Sequence, residues 1–199
     1  MLDYDGTIVD SLAVFCDACV RVFARRGFPH LATCERATAL LDDNWFEAQA
    51  AAGIPQPVTD ELEEEFAASA WGDDAPSPFP GMRRVIERLA RHNVVVVVTS
   101  VRKADVEGVL ARHGVTGISE VLGSDTETSK VRKIGTARTH HGSSREAWYV
   151  GDTVGDIVEA RHAGVKSVAV TWGWGREDRL RAAFPDLVAS TPEDLLALE

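Results

Sequence analysis

At 199 residues the chain can bury one substantial core and carry a modest insertion. Hydrophobic residues at 45% and charged residues at 26% are the proportions of an ordinary soluble globular protein. A net charge of −10 argues against a general nucleic-acid binder, but not against a small anionic ligand, which one Lys and a few backbone N–H groups can hold.

The chain opens on Met1-Leu2-Asp3-Tyr4-Asp5-Gly6-Thr7. Two carboxylates two residues apart share a face at a strand's end, and Gly allows a sharp departure after them. Residues 10–26 then read as an amphipathic helix, with Leu12, Phe15, Cys19, Val22 and Phe23 on one stripe. Cys16 and Cys19 form a C-x-x-C on that helix without a second ligand pair, and the only other Cys is Cys34. An odd count gives no disulfide framework, so all three are expected to be reduced, with Cys16 and Cys19 as buried helical thiols. That expectation, with no basic-then-apolar leader and no apolar run near the ~18 residues of a membrane span, points to a cytoplasmic protein. From 31 to 72 only helix signals occur, over Thr33 to Leu41, Asn44 to Ala52 and Thr59 to Trp71. Three prolines in Asp73 to Gly81 mark a linker.

After that linker, helix and strand alternate. Met82 to Arg91 is a helix, and Val94 to Val98 an all-apolar β-branched run suited to a strand covered on both faces. Helices over Lys103 to His113, Ser129 to His140 and Gly155 to Ala163 alternate with strands over Ile118 to Leu122, Ala147 to Val150 and Ser167 to Thr171. A further helix, a short strand at Leu187-Val188 and a helix over Pro192 to Leu198 follow. The pattern is that of a doubly wound α/β sheet. Residues 1–13 and 80–199 form the core, and residues 14–79 an all-helical insertion after the first strand, placed to open and close over a site.

Ligands in such sheets bind beyond the carboxyl ends of the strands. There the first strand delivers Asp3 and Asp5, the second Thr99 and Ser100, and the fourth Gly151-Asp152-Thr153-Val154-Gly155-Asp156, while Ser129-Lys130 opens the helix after the third. Clustered carboxylates require a cation, and oxygen ligands with room for water and phosphate suit Mg²⁺. Thr99 and Ser100, read as a helix start, would cradle an anion, and Lys130 would supply a point charge. Asp3 is then the candidate nucleophile and Asp5 the acid/base partner. Asp43, Asn44 and Trp45 form the insertion's polar loop, either as specificity residues or as a helix cap. Trp172-Gly173-Trp174-Gly175-Arg176 reads either as lining the entrance, with Arg176 near substrate, or as a packed surface loop, and His140-His141 reads as a solvated pair.

Asp3-Tyr4-Asp5-Gly6-Thr7, Thr99, Lys130 and Gly151-Asp152-x-x-x-Asp156 together resemble the four motifs of the haloacid dehalogenase-like hydrolases. The helical insertion, Ala160 to Val165 and Val170-Thr171-Trp172-Gly173 resemble the phosphoglycolate phosphatase-like branch. The resemblance implies a Rossmann-like core with the first strand central. It also implies Mg²⁺ held by the Asp3 side chain, the Asp5 carbonyl and Asp152, with Asp156 supporting or ligating. Having Asp5 favours phosphoryl transfer over attack on carbon: a phosphatase for a small phosphorylated metabolite, with a phosphomutase or a non-catalytic binding protein as alternatives. A monomer or homodimer with neither nucleic-acid nor membrane partners is expected. Two departures matter. Lys133 competes with Lys130 as the phosphate lysine. Only Met1 and Leu2 precede Asp3, where a central strand usually runs ~5–6 residues, so a misassigned start or a truncated form is expected, stabilised by apolar residues added upstream.

Overall fold

The valine run organises the molecule. In the computed structural model, which describes residues 1–69, 75–142 and 146–199, strand β3 (Val95–Val98) is buried along its whole length. Side chains alternate faces along a strand. Val95 and Val97 pack on one side with helices α5 (Met82–Leu89) and α6 (Lys103–Arg112), through Met82, Ile86, Val106 and Leu110. Val96 and Val98 pack on the other with α7 (Lys130–His141) and α8 (Val154–His162), through Ile134, Ala137 and Ala160. A sheet covered on both faces explains why this strand is continuously apolar rather than alternating.

β3 pairs in parallel with β4 (Ile118–Leu122), and β5 (Trp148–Gly151) pairs in parallel with β6 (Lys166–Val170), which in turn pairs with β7 (Leu187–Ala189). Leu2 joins the two groups. It bridges Val97 on one side and Val150 on the other. Its N–H donates to the Val96 carbonyl at 2.8 Å and its carbonyl accepts from Val98 N–H at 2.9 Å, while Asp3 N–H donates to the Val150 carbonyl at 2.8 Å. The order is thus β4, β3, the Leu2 segment, β5, β6, β7. The expected central position of the first strand is met with very few residues.

The chain leaves this sheet through β1 (Val9–Asp10) and returns through β2 (Ser77–Pro78), which pair antiparallel. The proline-rich stretch is therefore not a free linker over those residues; Asp73 and Asp74, like Trp71 of the expected helix, lie outside the described residues. Between β1 and β2 come α1 (Leu12–Arg25), α2 (Cys34–Thr38), a 3₁₀ turn over Ala39–Asp42, α3 (Trp45–Ala51) and α4 (Gln56–Ser69). These helices bury a cluster of their own, centred on Phe15, Cys19, Val22, Phe23 and Leu62.

One cysteine expectation fails. Cys16 and Cys34 form a disulfide, and Cys19 alone is a free, buried thiol. The C-x-x-C spacing drew attention to two residues on one helix, whereas the true partner is brought in by the turn between α1 and α2. No helix among the described residues is long and apolar enough to cross a membrane.

Candidate active site

Asp3 sits immediately after the Leu2 segment, at the carboxyl edge of the sheet, and is 6% exposed. The backbone then turns through Gly6, whose φ is +68°. A Cβ on Gly6 would lie 2.1 Å from Asp152 Oδ2, so both the turn and the approach of this carboxylate require glycine. Thr7 Oγ1 donates to Asp152 Oδ1 at 3.2 Å, and Trp174 N–H donates to Asp152 Oδ2 at 2.7 Å. Asp152, from the end of β5, is thus held from both sides and fully buried.

Asp156 opens α8. Its Oδ2 accepts from Thr153 N–H at 3.0 Å and from the Thr153 hydroxyl at 2.7 Å, one half of a capping box. Its Oδ1 accepts from Tyr149 OH at 3.3 Å and from Lys130 Nζ at 2.7 Å. Lys130, from the first turn of α7, also lies 3.0 Å from Asp3 Oδ2. It is therefore Lys130, not Lys133, that reaches the Asp3 carboxylate. Lys133 is fully buried and donates to the Thr99 carbonyl beneath the loop after β3.

Oxygens of Asp3, Asp152 and Asp156 lie within 4.8 Å of one another, and all three residues are buried. Three buried carboxylates with little to neutralise them but Lys130 form a hard-oxygen donor set that fits a divalent cation. The electrostatics agree. Burial pushes Asp152 up to about 7, and the neighbouring Asp156 adds to the shift. Burial also raises Asp3 well above the usual carboxylate range, against the pull of Lys130. Burial disfavours the Lys130 ammonium, but Asp156 and Asp3 outweigh it and hold the group well above its ordinary value.

Asp5 accepts from Ser11 Oγ at 2.6 Å. Burial raises its carboxyl to about 6, with the Ser11 hydrogen bond opposing the shift. Asp5, Asp3, Thr99, Ser100, Lys130 and Asp152 all line one cavity enclosing about 900 Å³, part of it open to solvent.

The loop after β3 differs from expectation. α6 begins at Lys103, so Thr99 and Ser100 do not open a helix. Thr99 N–H donates to the Leu122 carbonyl at 3.1 Å, and Thr99 Oγ1 accepts from Val101 N–H at 3.1 Å. Thr99 and Ser100 line the cavity from a loop, not from a row of free helical amides.

Asp43 and Trp45 line the cavity. Asn44 does not: its Oδ1 caps α3 by accepting from Phe46 and Glu47 N–H, and its Nδ2 donates to Glu159 Oε1 at 2.8 Å and to the Thr128 carbonyl at 3.3 Å. Asn44 therefore ties the helical segment to α8 and the loop before α7. Arg179 to Asp42 at 2.7 Å is a second such tie.

Several site residues escaped the sequence reading. Of the two readings of the Trp172-to-Arg176 stretch, the less favoured one holds for Trp174: Gly173 presses against Asp152, where a Cβ would come within 2.3 Å of Asp152 Cβ, and Trp174 lines the cavity. Arg176 instead pairs with Asp178 at 2.9 Å. Glu159, Phe15 and Phe66 line the cavity from helices where they read simply as core or surface. Only Thr153 carried a signal, the Thr-x-x-Asp spacing of a capping box. His140 and His141 are a solvated surface pair as expected, and ring nitrogens of both also contact Glu120 at 2.9 Å.

A strand-borne carboxylate pair, a buried acidic cluster and a lysine at one edge of a Rossmann-like sheet are shared with a known class of enzymes. The family model for haloacid dehalogenase-like hydrolases matches residues 1–170, and the chain belongs to that family. A phosphoglycolate phosphatase from Synechococcus elongatus is 31% identical over 59% of this chain and 57% of its own length. One from Vibrio parahaemolyticus is 27% identical over 98% of this chain and 92% of its own. Among solved structures, a haloacid dehalogenase-like hydrolase from Streptococcus pneumoniae is 24% identical and superposes with a TM-score of 0.80, covering 99% of this chain and 95% of that one.

Proposed function

We propose that the protein is a Mg²⁺-dependent phosphatase that hydrolyses a small phosphorylated metabolite through an aspartyl-phosphate on Asp3. The observation that carries the reading is the Lys130 ammonium, 3.0 Å from Asp3 and 2.7 Å from Asp156, beside the buried carboxylate cluster on the floor of a cavity. Asp3 attacks phosphorus, and the bond to the leaving oxygen breaks as Asp5 gives that oxygen a proton. Asp5 then takes a proton from water, which attacks the phosphoryl group, releases inorganic phosphate and restores Asp3. A carboxyl raised to about 6 by burial suits both roles near neutral pH. Thr99 and Ser100 bind phosphate oxygens, and Lys130 adds a positive charge facing them.

Mg²⁺ held by Asp3, the Asp5 carbonyl and Asp152 would offset the repulsion between these carboxylates and the incoming phosphate. Asp156 supports that set by fixing Lys130. Residues 14–79 act as a cap over the core formed by 1–13 and 80–199, with Asp43 and Trp45 facing the leaving group. The names of the relatives support a phosphomonoester as substrate.

The test is hydrolysis of acetyl phosphate with and without Mg²⁺. Wild type releases phosphate only with the metal, and Asp3→Asn loses at least ~10³-fold in rate, the scale expected on removing a covalent nucleophile. Retained turnover in Asp3→Asn overturns the assignment.

A further inference from the structure

The leaving-group side of the cavity has a chemistry of its own. Phe15 of α1 lies at the centre of an aromatic cluster, its ring centroid 5.3 Å from Trp45, 6.1 Å from Phe66 and 4.8 Å from Trp174. All four line the cavity, together with Leu62. Trp45, Phe66 and Trp174 are only partly buried, so ring surface remains for a ligand. Three of the rings come from the helical segment and one from the loop after β6, so both parts of the chain contribute to this wall.

The charges on this side have the opposite character to a carboxylate receptor. Away from the reaction centre, the lining carries Asp43, Glu63 and Asp105 against one cation among the described residues, Arg102. Arg102 shares its charge with Asp105, its Nε 2.8 Å from Asp105 Oδ2. A second anionic group on the substrate would therefore be desolvated in a lining whose acids outnumber its cation, which is costly. An aromatic or apolar group would instead be buried against ring faces.

We propose that this site takes phosphate monoesters whose leaving group is an uncharged aromatic or apolar alcohol, and that it discriminates against 2-phosphoglycolate. The inference rests on the phosphatase reading above. It adds a selectivity that the names of the relatives do not predict.

The experiment compares kcat/KM for benzyl phosphate and 2-phosphoglycolate, neither with an activated leaving group, with acetyl phosphate as a measure of the chemistry alone. All three are assayed on wild-type protein with Mg²⁺. Benzyl phosphate is expected to exceed 2-phosphoglycolate at least tenfold. In Phe66→Ala and Trp45→Ala, the ratio of benzyl to acetyl phosphate falls at least fivefold; Trp174→Phe keeps most of that ratio because a ring remains. Equal rates, or a preference for 2-phosphoglycolate that Arg102→Gln removes, overturn the selectivity while leaving the phosphatase standing. Hydrolysis of acetyl phosphate alone also overturns it. No hydrolysis of any of the three overturns the phosphatase reading itself.

Discussion

Asp152 shows how much of the site is built from small residues. Gly6 and Gly173 leave it room, Thr7 and the Trp174 amide hold its two oxygens, and burial keeps its proton up to about 7. Its pKa is raised above the unfolded value, so the folded, metal-free protein binds more protons between roughly pH 4 and pH 7. Stability due to that proton is present below about pH 4 and is lost as pH rises toward 7. A divalent cation binds the ionised form and stabilises by mass action. Millimolar Mg²⁺ should therefore raise Tm by about 4 °C or more at pH 8, and much less at pH 5. Asp152→Asn should raise the metal-free Tm at pH 8 and erase the Mg²⁺ response. A Tm indifferent to Mg²⁺ at both pH values would count against a metal centre here.

At the scale of elements, the two halves of the sheet meet at Leu2. Leu2 alone makes bridges on both sides. Below it, Met1, Val94, Val95, Val96, Ala147 and Trp148 line a second cavity between the amino-terminal ends of β3 and β5. Four to six apolar residues added upstream would extend this strand along both neighbours, supplying backbone hydrogen bonds and filling the cavity. We expect a higher Tm for that extended form; an unchanged Tm would mean the added residues do not join the sheet. The alternation of helix and strand was legible because Val94 to Val98 and the later strands are short apolar runs between helical patterns. The exchange of Thr99 and Ser100 from helix start to loop was not, since the three residues before Lys103 carry no distinctive period. The β1–β2 pairing was hidden for another reason: two-residue strands have no alternation to detect, and Pro78 looks like a linker residue. The Cys16–Cys34 bond is a tertiary contact across a turn, which spacing along the chain cannot reveal.

In the whole molecule, the helical segment is fastened to the sheet by Asn44 to Glu159, Asn44 to the Thr128 carbonyl and Asp42 to Arg179. The loop carrying these residues rests on Gly155, where a Cβ would meet the Leu41 carbonyl at 2.8 Å and the Asp43 carbonyl at 3.0 Å. Alanine suits a helix better than glycine, so Gly155→Ala should leave the core folded while pushing this loop outward. Its KM should rise several-fold, by about 3- to 10-fold, with Tm within a few degrees of wild type. An unchanged KM would show that this contact does not position the cavity lining. The clustering of Asp3, Lys130, Asp152 and Asp156 was readable because the ends of two strands and the starts of two helices meet at one edge of the sheet. The aromatic wall was not, because Phe15 and Phe66 serve the helical segment's own core as well as the cavity, and Trp174 arrives from a loop that reads as surface.

In the proposed mechanism Asp3 carries the phosphoryl group as an acyl phosphate. Radiolabelled acetyl phosphate, mixed with the enzyme and Mg²⁺ and quenched in acid within the first turnover, tests it directly. Label should be recovered on the peptide containing Asp3, be released by hydroxylamine as expected of an acyl phosphate, and be missing from Asp3→Asn. Phosphate release without any label on that peptide, or label on a different residue, would contradict it.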